Sequence, residues 1–272
     1  MLIVSNVLLA SGAAVPLGNA RIGYQTWLRG LPAGNVAAST TRADSAADAP
    51  LRPDTAEFWA PTALPATWEV DLGALRDFDY VGIAGHSLGS CGCTLNVASR
   101  AIASDAWTTF GTDVLLTEDG PLMALDALRT HRYLRLSISG GTLMPVIASI
   151  YAGIALAMER PIYGGVSPIT LSRATVLARS LSNGGQFLGQ GFRRHGVESS
   201  ATFRHLSASW YRANFDPFVR SARRFPFFFA WRPATYSKEV AYAWCGNDIH
   251  PENMGVNSLM SVSFSMQGIG NE

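Results

Sequence analysis

The feature that most constrains this chain is a series of short segments in which apolar and polar residues alternate, with turn residues between them. Residues 68–73 alternate large apolar with acidic side chains and end at a glycine, and residues 133–139 alternate strictly before Gly140-Gly141. A period of two is typical of half-buried β-strands. We therefore expect strands over residues 67–72, 80–84, 93–98, 133–138 and 146–156, with a turn over 76–79. Many short strands with little helix between them predict a mainly β chain built as an antiparallel sandwich or jelly roll.

The remaining parts of the first half carry weaker patterns. Residues 2–15 are apolar but lack a positively charged start, which predicts a first strand rather than a leader. Residues 31–65 predict a long loop that Phe58-Trp59 anchors on the core, and only residues 122–128 look helical. For residues 146–156 a helix is the weaker alternative, because Gly153 would lie inside it.

Composition excludes several classes of protein. A hydrophobic content of 48% supports a packed core, and a net charge of +1 from 21 basic and 20 acidic residues argues against a nucleic-acid binder held by a broad basic field. The apolar run 146–158 is too short to cross a bilayer, which takes about 20 residues. Cys91, Cys93 and Cys245 form no disulfide framework, so we expect reduced thiols in a protein made in a cytosol.

A change of composition after residue 160 predicts two domains, 1–158 and a smaller β-rich unit, 161–272. In the second we expect strands over 202–211, 227–231 and 261–267, and one short helix from an N-cap at Asp216 to about Arg224. The run 225–231 is apolar on both faces and needs cover on both. We therefore expect residues 1–158 to fold alone and residues 161–272 to aggregate alone.

One short motif points to catalysis. Gly85-His86-Ser87-Leu88-Gly89 fits the G-x-S-x-G pattern of a nucleophile elbow, and Asp216 or Asp248 with His250 would complete a triad in the usual order. The segment after Ser87 contains two glycines and no strong helix former, however, so we expect Ser87 at the tip of a β-hairpin.

A metal site at Cys245, Asp248 and His250 lacks the spacing of a closed zinc site, and a solvated loop is the favoured interpretation. His195 and His205 are predicted to be ordinary surface residues. We accordingly predict no catalytic residue, no cofactor and no metal.

Two family resemblances add to these expectations. The order Trp59, residues 68–73, residues 80–83 and residues 133–136 resembles the discoidin, or F5/8 type C, galactose-binding-like sandwich over roughly residues 20–158. The resemblance implies recognition by loops at one end of the sandwich, and hence a glycan contact there.

The second unit resembles minor tail or baseplate proteins of tailed bacteriophages. The resemblance rests on Gly184–Gly189, the Trp210 to Phe218 segment, residues 227–233 and Asn253-Met254-Gly255, although the sandwich comes first here, unlike in the commonest distal tail proteins. It implies a structural, non-enzymatic component of a virion tail tip, made in the host cytoplasm. Its partners would be other tail proteins and its own copies in a ring, with no nucleic acid and no membrane span. The alternatives are a serine esterase acting through Ser87 and a carbohydrate-binding module or adhesin.

Overall fold

The chain is built almost entirely from β-strands arranged in three sheets. The computed structural model describes residues 2–4, 7–9, 18–162, 164–194, 196–255 and 258–270, with the side chains of 2–4, 7–9 and 192–194 left out. The strands are β1 (Leu2–Val4), β2 (Val7–Leu9), β3 (Arg21–Gly23), β4 (Val36–Ala38), β5 (Ala66–His86), β6 (Cys93–Arg100), β7 (Thr108–Thr109), β8 (Val114–Leu115), β9 (Leu122–Gly140), β10 (Ile147–Gly153), β11 (Leu156–Ala157), β12 (Val176–Leu181), β13 (Phe187–Arg194), β14 (Val197–Ser207), β15 (Phe227–Ala230), β16 (Val240–Trp244), β17 (Pro251–Asn253) and β18 (Leu259–Ile269).

Helical structure is confined to short pieces. The α-helices are α1 (Ala208–Trp210) and α2 (Asp216–Ala222), joined by a π-helical turn over Tyr211–Phe215; 3-10 turns cover Ala33–Asn35, Ala49–Leu51 and Ile169–Leu171. The predicted short helix after Asp216 is confirmed, but Asp216 is not its N-cap. The chain is already helical before it, and Asp216 pairs with Arg220 one turn later.

Two long antiparallel strands, β5 and β9, organise the first sheet. Their early and late halves have different neighbours: β4 and β6 flank one end of the pair, and β10 and β1 flank the other. Register shifts between Asp71 and Arg76 let the pair bend, and Gly73 adopts a φ of 77° there. The two halves of the bent sheet enclose one core, which includes Trp59, Trp68 and Ile150. The predicted sandwich is confirmed.

Two predictions about this sheet are wrong. The expected turn over 76–79 is part of β5, because Arg76, Asp77 and Phe78 pair with His131, Thr130 and Arg129. The expected helix over 122–128 is the start of β9. Its first four residues are buried on both faces of a sheet, and that burial outweighs their helix propensity.

The second sheet takes strands from both ends of the chain. Its order is β11-β3-β15-β16-β18-β14, with β17 beside β18, so β3 pairs with β15 and β11 pairs with the other edge of β3. The expected strand 146–156 is accordingly divided into β10 and β11, which belong to different sheets. The expected strand 202–211 ends at Ser207, where α1 begins. The domain boundary at 158–161 stays a prediction, and the second sheet crosses it.

The sheets are stacked with a separate core on each side of the second one. Phe227 and Phe229 face a core with Phe218 and Phe264, whereas Phe228 faces Tyr80, Tyr151 and Tyr242 between the two sheets. This confirms the prediction that the run around β15 is covered on both faces. Gly82 allows the close approach, since a Cβ there would lie 2.5 Å from the ring of Phe228.

The predicted first strand over 2–15 is described only as β1 and β2, and the rest of that prediction lies outside the described residues, as does His195. In the part of the chain that the structure describes, no helix is long and apolar enough to cross a membrane.

Candidate functional site

Ser87 lies in the connection Ser87–Gly92 between β5 and β6, not between a strand and a helix. β5 and β6 do not pair with each other, because both flank β9, so the expected hairpin is also not formed. Its Oγ accepts a hydrogen bond from the Val146 amide at 3.0 Å and contacts Cys91 Sγ at 3.7 Å. Among the described non-glycine residues only His205 and Ser258 have positive φ, so Ser87 lacks the strained backbone of an elbow.

The other residues of the suggested triad have different surroundings. Asp216 forms an ion pair with Arg220, Asp248 forms one with Arg223 at 3.0 Å, and His250 is exposed. His86 is buried, which lowers its pKa to about 4 and keeps the imidazole neutral near pH 7. Within the described residues, no group of three or more His, Cys, Asp or Glu is placed to hold a metal ion. Cys91, Cys93 and Cys245 are all free thiols.

The glycine of the motif has a structural use. A Cβ at Gly89 would overlap the backbone of Glu118, in the loop between β8 and β9, and the Ser90 amide donates to Asp119 Oδ1 in the same loop at 2.9 Å. The motif therefore supports the loop that carries Glu118. That loop forms one wall of a cleft.

The cleft lies where the sandwich meets the loop between β15 and β16. It has a volume of about 460 Å³, within the range of small-ligand sites, and is lined by Glu118, Thr170, Arg173 and residues 235–239. Lys238, the only lysine in the chain, reaches across it and pairs with Glu118 at 3.3 Å. The wall is thus shared by both halves of the chain.

Glu239 is the buried acid of the cleft. It is only 8% exposed, and its Oε2 has no hydrogen-bond partner among the described residues. Burial raises its pKa, and a hydrogen bond with Thr170 partly offsets that effect. A buried carboxyl oxygen with unused acceptor capacity costs free energy unless something satisfies it. Hydroxyl groups are suitable donors.

An aromatic surface completes the cleft. The Tyr236 ring is 42% exposed and stacks on Trp231 at 5.1 Å with an interplanar angle of 3°. Tight turns fix its backbone: the Tyr236 amide donates to the Arg232 carbonyl at 2.8 Å, and the Glu239 amide donates to the Tyr236 carbonyl at 3.1 Å. The ring is therefore held in place before any ligand arrives.

None of these cleft residues was predicted from the sequence. The isolated Lys238 beside Glu239 and the nearby Trp231 and Tyr236 are visible as residue types. Their convergence with Glu118, however, depends on a contact across 120 positions of chain.

The topology and the core define a mainly β protein with an N-terminal sandwich, as predicted. No protein-family model matches the chain, and no curated protein does.

Several solved structures are similar over about half of the chain. One is a GH29 fucosidase of Ruminococcus gnavus in complex with fucose, at 16% identity and a TM-score of 0.41; the match covers 50% of this chain and 27% of that one. Another is chitosan-binding module 1 of a chitosanase/glucanase from Paenibacillus sp. IK-5, at 16% identity, a TM-score of 0.38 and coverage of 47% and 98%. A third is the family 32 carbohydrate-binding module of NanJ from C. perfringens in complex with galactose, at 13% identity, a TM-score of 0.38 and coverage of 44% and 95%. The chain thus spans about a quarter of the fucosidase and nearly all of each isolated module.

Proposed function

We propose that the chain is a glycan-binding protein and that the cleft around Tyr236 and Glu239 is its binding site. The observation that carries the proposal is the buried Glu239 Oε2 without a partner, set beside an exposed and rigidly stacked ring. A sugar presents hydroxyl donors along one edge and an apolar C–H face, so a single residue would satisfy the carboxylate and cover the ring.

The charges around the cleft suit a polar, uncharged ligand. Lys238 is paired with Glu118, and the lining also holds the exposed Arg173 and the buried Glu239, so side chains of both charge signs face the cleft. Sugar hydroxyls can donate to Glu118 and accept from Lys238 without a full charge entering the cleft. We propose binding without catalysis.

The test is titration calorimetry of the full chain with galactose, a galactose disaccharide and a chitosan oligosaccharide. Tyr236→Ala should weaken binding by about fivefold or more through loss of the stacking surface. Glu239→Gln keeps the shape of the side chain but replaces one acceptor oxygen by a donor, and it should also weaken binding.

Trp244→Ala, which removes another exposed ring outside the cleft, is the matched control and should bind as the parent does. If both cleft variants bind all three ligands as the parent chain does, the assignment of the site is wrong. If the parent chain binds none of the three ligands, the proposed function is wrong.

A second candidate, a structural component of a phage tail tip in the virion, is favoured by the hairpin β12–β13. This hairpin pairs with neither large sheet, and it exposes Leu181, Phe187 and Leu188 by 59%, 66% and 64%. Large exposed apolar groups on a two-stranded ribbon are typical of a surface that a partner covers, and such a ribbon is only marginally stable alone.

Sedimentation velocity tests this second candidate. The parent chain should associate with its own copies, and a Leu181→Ser, Phe187→Ser double variant should be monomeric. The control is Leu75→Ser, which removes an exposed leucine elsewhere. A monomeric parent chain at high concentration would count against an assembly role.

A further inference from the structure

A second cluster, separate from the cleft, lies on the solvent-facing side of the sandwich sheet. Three guanidinium groups alternate with two rings in the order Arg132, Tyr133, Arg100, Trp107, Arg135. The distances from guanidinium carbon to ring centroid along this series are 5.3, 5.3, 4.2 and 4.3 Å. We call these five residues the guanidinium–aromatic ladder.

The strands bring the ladder together. Arg100 lies directly opposite Tyr133 in the pairing of β6 with β9, and Arg135 lies two residues further along the same face of β9. The loop after β6 then places Trp107 against both Arg100 and Arg135. Alternate residues of β9, such as Leu134 and Leu136, point into the core, so Tyr133 and Arg135 lie on the opposite, half-exposed face. Arg132 lies at the register shift between β5 and β9, and its guanidinium lies beside the Tyr133 ring.

The three arginines differ in how well they are neutralised. Arg132 makes two hydrogen bonds to Asp71, at 2.6 and 2.7 Å, which use its planar fork. Arg135 only approaches Glu69, at 3.8 Å. Arg100 has no carboxylate contact among the described residues, and its one recorded polar contact is a long one, 3.5 Å, to the Asp105 carbonyl.

The Nε atoms of Arg100 and Arg135 are also shielded from solvent without a hydrogen-bond partner among the described residues. Both guanidiniums therefore have a hydrogen-bond donor that no described residue accepts from. Stacking on Trp107 covers their flat faces and leaves the terminal nitrogens at the edge as donors. An anion at those edges would accept hydrogen bonds from the terminal nitrogens and supply the counter-charge that Arg100 lacks among the described residues.

We propose that the guanidinium–aromatic ladder binds an acidic polysaccharide, with a carboxylate or sulfate of successive sugar units at Arg100 and Arg135. A polyanionic glycan repeats its charge from one sugar unit to the next, and Arg100 and Arg135 lie on neighbouring strands against the same Trp107 ring, so adjacent charges can each meet one arginine. A single-stranded nucleic acid fits less well. Its bases need open ring faces, and each ring of the ladder already lies beside two guanidiniums.

This site does not depend on the proposed cleft, and the experiment separates the two. Affinity electrophoresis of the full-length Tyr236→Ala variant, in which the proposed cleft is disabled, should show retardation by polygalacturonate and none by neutral galactan. The retardation should weaken as the salt concentration rises from about 50 to about 500 mM, because the contacts are ionic.

Arg100→Gln should reduce the polygalacturonate affinity about tenfold, a loss typical of a charge-assisted contact. Arg100→Lys keeps the charge but loses the planar fork, so it too should bind more weakly. Arg220→Gln removes the same charge from an exposed site in the second unit and should have no effect. Thermal melting of each variant identifies any that fails to fold. If Arg100→Gln does not fold, Arg100→Lys is compared with the parent chain instead.

Three results would overturn the proposal. They are equal retardation of the Tyr236→Ala variant by polygalacturonate and galactan, parent-like affinity for polygalacturonate in both Arg100 variants, and equally tight binding of a single-stranded homopolymeric DNA that competes with polygalacturonate. Tyr236→Ala should leave polygalacturonate binding intact. If that variant abolishes it, the anion binds in the cleft and the ladder assignment is wrong.

Discussion

At the scale of single residues, Asp79 is a partly buried carboxyl group whose surroundings disfavour its ionisation. Asp79 lies near the point where the chain passes from β10 to β11, and its Oδ1 accepts the Ala155 amide at 2.7 Å. Burial raises its pKa to about 6, although this hydrogen bond and Arg21 act in the opposite direction. The carboxyl group is thus one of the few in the chain whose ionisation opposes folding near neutral pH.

We predict that Asp79 makes the protein less stable as the pH rises from about 4 to about 6. The folded state keeps the proton over this range while the unfolded chain, with an ordinary pKa of 3.8, has lost it. The free energy of unfolding should therefore fall by on the order of 2 kcal/mol over this window and be constant above it. Asp79→Asn keeps an acceptor for the Ala155 amide and should remove this part of the pH dependence, as measured by urea unfolding at several pH values.

Asp77→Asn is the control for that experiment. Asp77 is an exposed carboxylate two residues away on the same strand, where its Oδ1 accepts the Thr130 hydroxyl. If Asp79→Asn leaves the pH profile of the parent unchanged, the carboxyl group is not protonated in the folded state.

Ser87 also has a structural contact that a sequence motif does not show. Ser87→Ala should lower the free energy of unfolding by about 1 kcal/mol, because the Val146 amide loses its acceptor in a half-buried position. Ser90→Ala, at an exposed position in the same connection, should change it by less than about 0.5 kcal/mol. A serine-directed fluorophosphonate should label neither residue. Covalent labelling of Ser87 would contradict this and revive the esterase alternative.

At the scale of secondary-structure elements, loops from distant parts of the chain define the cleft. The connection after β5 lies under the loop that carries Glu118, and the loop between β15 and β16 supplies Tyr236, Lys238 and Glu239. The contact at Gly89 is therefore a test of whether loop placement matters for binding.

Gly89→Ala should displace the Glu118 loop and cost about 1–3 kcal/mol of stability, since the added methyl group meets backbone that cannot rotate away. It should also break the Lys238–Glu118 pair and weaken glycan binding in the cleft. Gly34→Ala is a suitable control, because a Cβ there would meet no atom within 4 Å. Calorimetry and thermal melting measure the two effects separately, and parent-like values for both would show that the loop is not held at Gly89.

At the scale of the whole molecule, the two sheets are joined by a shared core and by exchanged strands. Among the described residues, β3 and β11, from within residues 1–158, pair with each other, and the other neighbour of β3 is β15. Tyr80, Tyr151 and Phe228 meet in the core between the sheets. Neither half of the chain therefore contains all the partners of its own strands.

This arrangement changes the expectation for isolated fragments. Residues 1–158 should not be a soluble, cooperative unit, because cutting the chain uncovers Tyr80, Tyr151 and the free edge of β3. Residues 161–272 should aggregate as first expected. Co-expression of the two fragments should restore a soluble complex with one cooperative melt. A monomeric 1–158 fragment with a sharp melting transition and low binding of an apolar dye would show that the shared core is dispensable.

The local alternation of apolar and polar residues predicted the strands that can bury their apolar side chains in only one way. Strict alternation at 133–138 and at 261–267 places one face in a core whatever the partner, and both segments are strands as predicted. The run around Phe227–Ala230 is apolar on both faces, so the sequence also predicted that other residues pack against both of its faces. The glycan contact through sandwich loops was expected only from resemblance and stays a prediction.

The tertiary structure alone decided the features that depend on contacts between residues far apart in the sequence. Residues 122–128 have the local preferences of a helix, yet they are a strand because residues 122–125 are buried on both faces, against β5 and the second sheet. Ser87 lacks a helix after it because the chain turns back to pair with β9. Glu118 and Lys238 are 120 positions apart, and nothing in either local sequence specifies their contact. The sequence by itself determined which segments must be buried; the pairing of distant strands determined what they are buried against, because burial is satisfied by any apolar partner and only the complete set of contacts selects one.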